Sequence, residues 1–173
     1  MNRILLVIIL AFVAFTSSGQ MFYIVRHAEK ATQNANMSSD VELSDQGKER
    51  AEALMKVMVD KKIGYVFSTN TIRTKSTAKP TADHFDLITE SYDPRPDSVF
   101  IDLLKAKDKN TLIVGHSNTV DDIVNMLCGK TAVPADLPET EYDNLFIVEK
   151  LGNRYSFKRI KYGKSADPIK DND

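Results

Sequence analysis

The chain has 173 residues, 42% of them hydrophobic and 27% charged, with 23 basic against 24 acidic side chains and a net charge of −1. The basic residues are scattered, which excludes a nucleic-acid-binding surface. Cys128 is the single cysteine, so no internal disulfide can form and the fold must be held by burial alone.

Asn2 and Arg3 give a short positive lead, Ile4 to Phe15 is an unbroken apolar run, and Thr16-Ser17-Ser18-Gly19 supplies small residues. That layout is a secretory signal peptide (residues 1–19) cleaved after Gly19, and it implies a secreted or periplasmic protein with no membrane contact after cleavage. The run is shorter than the roughly 20 residues of a membrane span, and a retained anchor is the alternative. The remainder suits one domain over 20–163 with a polar tail over 164–173.

Met21 to Val25 is short, apolar and β-branched at Ile24 and Val25, a buried strand that breaks into Arg26-His27-Ala28-Glu29-Lys30. Residues 31–40 are polar and read as loop. Ser44 is a good N-cap, and Ala51, Leu54, Met55, Met58 and Val59 recur at helical spacing behind it. Tyr65 to Phe67 is a strand. Thr71 to Phe85 follows as a helix that Pro80 should kink or divide. Leu87 to Tyr92 is a strand ended by Asp93-Pro94-Arg95-Pro96.

Ser98 to Lys107 is an amphipathic helix expected to turn Val99, Phe100, Leu103 and Leu104 inward. Thr111 to Val114 is a strand that runs into Gly115-His116-Ser117-Asn118, where Ser117 or Asn118 can cap a helix reaching Leu127 and closed by Gly129. Cys128 reads as buried filler, and His84 as a surface or capping residue. Residues 131–140 hold two prolines and read as loop. Asn144 to Glu149 and Tyr155 to Tyr162 form a hairpin around Gly152-Asn153. Alternating strands and helices followed by a hairpin predict a three-layer α/β/α sandwich, its central sheet mostly parallel with antiparallel edge strands.

Two of the three histidines stand just past strand ends, where open α/β sheets bind ligands. Arg26-His27, Leu43-Ser44-x-x-Gly47-x-x-Arg50-Ala51, Arg73-x-x-x-Thr77-Ala78 and Gly115-His116 stand in the order and spacing of the histidine phosphatase, or phosphoglycerate mutase-like, superfamily. The chain resembles that superfamily over about residues 22–149. The resemblance implies that His27 carries a phosphoryl group.

The residue types suit that chemistry. Phosphoryl transfer spreads negative charge over three oxygens, and Arg26 and Arg73 offer planar, permanently charged forks for them. A neutral imidazole can attack phosphorus, so His27 should be neutral, while His116 should be charged if a carboxylate lies near it. Ser117 should contribute its backbone N–H to phosphate. A Ser-His hydrolase is excluded, since no Gly-x-Ser-x-Gly elbow is present.

The leaving oxygen needs a proton. Asp93, at a strand end, is the preferred donor; Glu29, Glu90 or no dedicated acid are the other options. Gln33 and Asn34 lie where relatives place an amide on phosphate, and Ala28 stands where the family usually has Gly. No metal or other cofactor is expected. The expected partner is a phosphorylated small molecule, glycan or protein, because the chain leaves little material for a lid; the sequence does not specify an oligomeric state. A catalytically silent phospho-ligand-binding module is the main alternative. A metal-dependent hydrolase using His27 and His116 lacks ligand spacing.

Overall fold

The computed structural model describes residues 19–31 and 40–166. Most of the expected signal peptide (1–18), Gln33, Asn34 and most of the polar tail (167–173) lie outside them.

Six strands, β1 (Gln20–Arg26), β2 (Ile63–Thr69), β3 (Thr89–Tyr92), β4 (Asn110–Gly115), β5 (Asn144–Leu151) and β6 (Arg154–Lys161), form one sheet in the order β3-β2-β4-β1-β5-β6. The first four are mutually parallel; β5 and β6 extend the sheet antiparallel beside β1. The helices are α1 (Asp45–Met58), continued by a short 3-10 turn, α2 (Ile72–His84), α3 (Ser98–Ala106) and α4 (Val120–Cys128). Among the described residues no helix is long and apolar enough to cross a membrane.

The near-continuous apolar composition of β1 and β4 follows from burial on both faces, as in parallel sheets covered by helices. Phe22, Ile24 and Ile113 point to one face, where they meet Phe100, Ile101 and Leu104 of α3 and Ile123 and Leu127 of α4. Tyr23, Val25, Leu112 and Val114 point to the other, against Leu54 and Met58 of α1 and Ala78 and Ala82 of α2. The side-chain period of two thus sorts one strand's residues into two cores. The expected three-layer α/β/α sandwich is the observed one.

Three local expectations are corrected. Pro80 does not divide its helix: α2 runs unbroken, and the Ser76 carbonyl that loses its helical partner belongs to a residue which, like Pro80, lines a surface groove open to water. In α3 the inward residues are Phe100, Ile101 and Leu104, while Val99 is 74% and Leu103 45% exposed. The Asp97 cap and the stacking of Phe100 on Tyr92, at 4.3 Å, set that phase. The residue before α4 is Thr119, not Ser117 or Asn118; its hydroxyl accepts from the His116 N–H and donates to the His116 carbonyl.

Candidate active site

The C-terminal ends of β2, β4 and β1 lie side by side, and each delivers part of one cavity. In the β1–β4 register Arg26 pairs with Gly115, so His27 and His116 emerge as neighbours. The His27 N–H donates to the Gly115 carbonyl (2.9 Å), and the two imidazoles meet edge to face with centroids 5.5 Å apart. Arg73 sits in the first turn of α2, just beyond β2. A helix N-terminus already carries partial positive charge, and the Asp40 carboxylate, 3.6 Å from Arg73 Nη1 and accepting from the Ile72 N–H, partly offsets the two.

The backbone after β1 is pinned from two sides. Thr77, on α2, accepts from the Ala28 N–H (2.9 Å) and donates to the Arg73 carbonyl (2.7 Å), tying the neighbour of His27 to the helix that carries Arg73. Glu29 is buried in a bidentate pair with Arg50 of α1, whose Nη1 also donates to the Tyr162 and Lys164 carbonyls. These contacts give Thr77 and Arg50 a structural role beside the site.

His27 is nearly inaccessible. Its Nδ1 lies 2.8 Å from the Ala28 carbonyl, which can only accept, so Nδ1 carries the proton and Nε2 keeps its lone pair. Burial, followed by the charges of Arg26, Arg73 and His116, pushes its pKa down to about 3 despite the opposing Ala28 bond. The ring is neutral, and its Nε2 lone pair is chemically able to act as a nucleophile.

His116 differs from expectation. Burial and the charges of Arg73 and Arg26 push it down to about 4, and Asp40 alone among the main influences opposes them, so it is neutral at pH 7 before phosphate arrives. Its Nε2 is 2.8 Å from the Thr69 hydroxyl, which donates onward to Thr74. Nε2 is therefore the donor, and Nδ1 accepts from Arg73 Nη2 at 3.4 Å. A dianion beside that nitrogen would draw a proton onto it.

Arg26 is 1% exposed and tightly held. Nη1 donates to the Pro138, Glu139 and Glu141 carbonyls, and Nη2 to Glu139 Oε2 (2.8 Å) and the Tyr142 hydroxyl. The guanidinium also lies 4.0 Å from the Tyr142 ring centre, and Nε has no partner among the described residues. The fork expected to face phosphate thus holds the loop before β5.

Arg26, His27, Arg73, His116 and Ser117 all line a cavity of about 430 Å³, with Lys30 and Arg95 at its border. The Ser117 hydroxyl donates to Glu139 Oε1 (3.2 Å). Asp93 is exposed at the end of β3, where its carboxylate accepts from the Arg95 N–H; Pro94 and Arg95 line the cavity, and Asp93 does not. Glu90 pairs with Lys107 at 3.6 Å, and Glu29 is committed to Arg50. His84 is exposed at the end of α2, and half-buried Cys128 has its thiol pushed up by burial. Among the described residues no group of three or more His, Cys, Asp or Glu could hold a metal ion.

Sequence reasoning missed Lys30, Arg95 and above all Glu139. Glu139 stands in a proline-containing loop with no periodicity to mark it. The only available signal was that this loop follows the second histidine's helix and must return across the strand ends.

A parallel sheet whose adjacent strand ends present two histidines and two arginines to one cavity defines a phosphoglycerate mutase-like α/β fold with an anion-receptive site. The histidine phosphatase superfamily (branch 1) family model matches residues 22–95, which contain Arg26, His27 and Arg73. The phosphohistidine phosphatase SixA from Agrobacterium tumefaciens superposes with a TM-score of 0.63 at 18% identity, over 83% of this chain and 99% of that one. A tungstate complex of the protein histidine phosphatase SixA gives 0.65 at 17%, over 82% and 97%. A mycobacterial glucosyl-3-phosphoglycerate phosphatase gives 0.64 at 10%, over 84% and 100%. None of the curated proteins compared with the chain matches it. The chain is similar to the histidine phosphatase superfamily over residues 22–95, and it shares its fold with these phosphatases. The matched segment and the site together support a hydrolase acting on phosphate.

Proposed function

We propose that the chain is a metal-independent phosphatase acting outside the cytoplasm, hydrolysing phosphate monoesters through a phosphohistidine on His27. The carrying observation is the Arg26–Gly115 register, which sets two neutral imidazoles 5.5 Å apart in a cavity bordered by Arg26 and Arg73. His27 Nε2 attacks phosphorus, and Arg73, with His116 once protonated beside a dianion, takes the charge on the transferring oxygens. Water then attacks the phosphoryl-imidazole and releases phosphate. The apolar leader supports the extracytoplasmic address.

The similar structures are named for two kinds of substrate, a phosphohistidine on protein and a phosphorylated sugar acid. The cavity, open to the surface and bordered by Lys30 and Arg95, suits an exposed phosphate on a protein, a glycan or a small monoester. Closure of Arg26 by the 138–142 loop favours one second reading, a phospho-ligand-binding module without turnover.

The test is hydrolysis of p-nitrophenyl phosphate, with and without a chelator, by wild type and His27→Ala. Chelator-insensitive turnover that falls about a thousandfold in the variant, with an acid-labile phosphoenzyme trapped from wild type, is the expected result. Phosphate binding without turnover would replace this reading by the binding module, and chelator-sensitive turnover by metal chemistry.

A further inference from the structure

Among the described residues lining the cavity, Arg26, His27, Lys30, Arg73, Arg95 and His116 are basic, and Glu139 is the one carboxylate. The other nearby carboxylates do not line the cavity. Glu29 is clamped by Arg50, Asp93 holds a turn N–H, Glu90 meets Lys107, and Asp40 accepts from the Ile72 N–H at the start of α2 and pairs with Arg73 Nη1 at 3.6 Å. Glu139 instead spans the site: Oε2 is on Arg26, the residue before His27, and Oε1 on Ser117, the residue after His116.

From this placement, and resting on the phosphatase reading above, we infer that Glu139 is the catalytic residue that moves protons to the leaving group and from the attacking water. Its carboxylate occupies the Arg26 position that a substrate phosphate would claim. The side chain is 74% exposed, so it can turn away while the Pro138 and Glu139 carbonyls keep hold of Arg26 Nη1. In the resting protein burial pushes its pKa up, but the charge and hydrogen bond of Arg26 outweigh this and hold it below the usual range. A phosphate dianion that takes over Arg26 removes that partner and adds a like charge, and both changes favour protonation.

The steps then balance. His27 Nε2 forms a bond to phosphorus as the bond from phosphorus to the leaving oxygen breaks, and the Glu139 carboxyl gives its proton to that oxygen. Water next attacks phosphorus and yields a proton to the Glu139 carboxylate. The P–N bond breaks, its electron pair returns to His27, and phosphate leaves with Glu139 again protonated.

The experiment compares the full-length wild type, Glu139→Gln and Asp93→Asn on 2,4-dinitrophenyl phosphate, whose leaving phenolate needs no proton, and on O-phosphoserine, whose alkoxide does. In Glu139→Gln the ratio of kcat/KM for phosphoserine to that for the aryl ester should fall about a hundredfold, the lower end of what proton transfer contributes. A loss of packing or binding would lower both activities and leave the ratio unmoved. An unchanged ratio, a gain on both esters (marking Glu139 as a plug over Arg26), or the ratio change appearing in Asp93→Asn instead would overturn the assignment. Wild type inactive on both esters would remove the phosphatase reading itself, whereas activity with an unmoved ratio removes only the role of Glu139.

Discussion

Thr77 shows how much of the site depends on a single hydroxyl. It is fully buried, accepts from the Ala28 N–H and donates to the Arg73 carbonyl, so one oxygen registers the segment after His27 against the helix bearing Arg73. Thr77→Val keeps the shape but strands a buried backbone N–H, which should cost about 1–3 kcal/mol. Denaturant titration would measure that cost. Turnover at saturating aryl phosphate should fall further than stability alone explains, because the His27 ring is oriented by the Ala28 carbonyl of the same peptide segment. Stability lost with turnover intact would show that the hydroxyl only holds the fold.

Among the elements, α1 is the one whose placement the site needs most. Ser44 caps it by accepting from the Gly47 N–H, and the Ser44 N–H itself donates to the Glu29 carbonyl. Gly47 packs so closely that an added Cβ would stand 2.2 Å from that carbonyl oxygen. Backbone on both sides leaves no rotamer to relieve the clash. Gly47→Ala should therefore destabilise by about 1–3 kcal/mol in spite of alanine's better helix propensity, and should lower turnover by shifting the segment after β1. Thermal unfolding and kcat together test this; a variant as stable as wild type would mean that α1 is free to slide. The Glu29–Arg50 pair belongs to the same joint, which is why a carboxylate only two residues beyond His27 is structural here.

For the whole molecule, the consequence is a pH dependence of stability. His27 and His116 are held to about 3 and about 4 against an ordinary value of 6.5. Between those limits the unfolded chain binds protons that the folded chain refuses, so stability rises with pH in that interval and is flat above about 6.5. Urea unfolding at pH 7.5, 6.0 and 5.0 should show a progressive loss. The loss should be shallower in His27→Asn and in His116→Asn, since Glu139, held low by Arg26, Glu141, held low by the Asn144 amide with Lys161 and Arg159, and Asp143, held low by Lys161, begin to protonate only in the carboxylate range. An equal slope in wild type and both variants would mean that the imidazoles are not the groups refused a proton.

The strands, the helices, the layered architecture and the two histidines with their arginines were legible in the sequence, because each is a local matter. Apolar runs of strand length, caps such as Ser44 and breaks such as Gly129 are set by neighbours a few residues away, and a charged pair at a strand end needs no distant partner to be noticed. Less local features were misread in part. The inward face of α3 was set by Phe100 meeting Tyr92, and Pro80 was tolerated because its lost bond lies beside a groove open to water. What only the tertiary structure decided is what surrounds the reacting groups. Glu139 reaches Arg26 across 113 residues of chain, and His116 is neutral because burial and two arginines converge on it from other elements. Burial and charge at a point are sums over everything folded around it, so no stretch of sequence read by itself contains them.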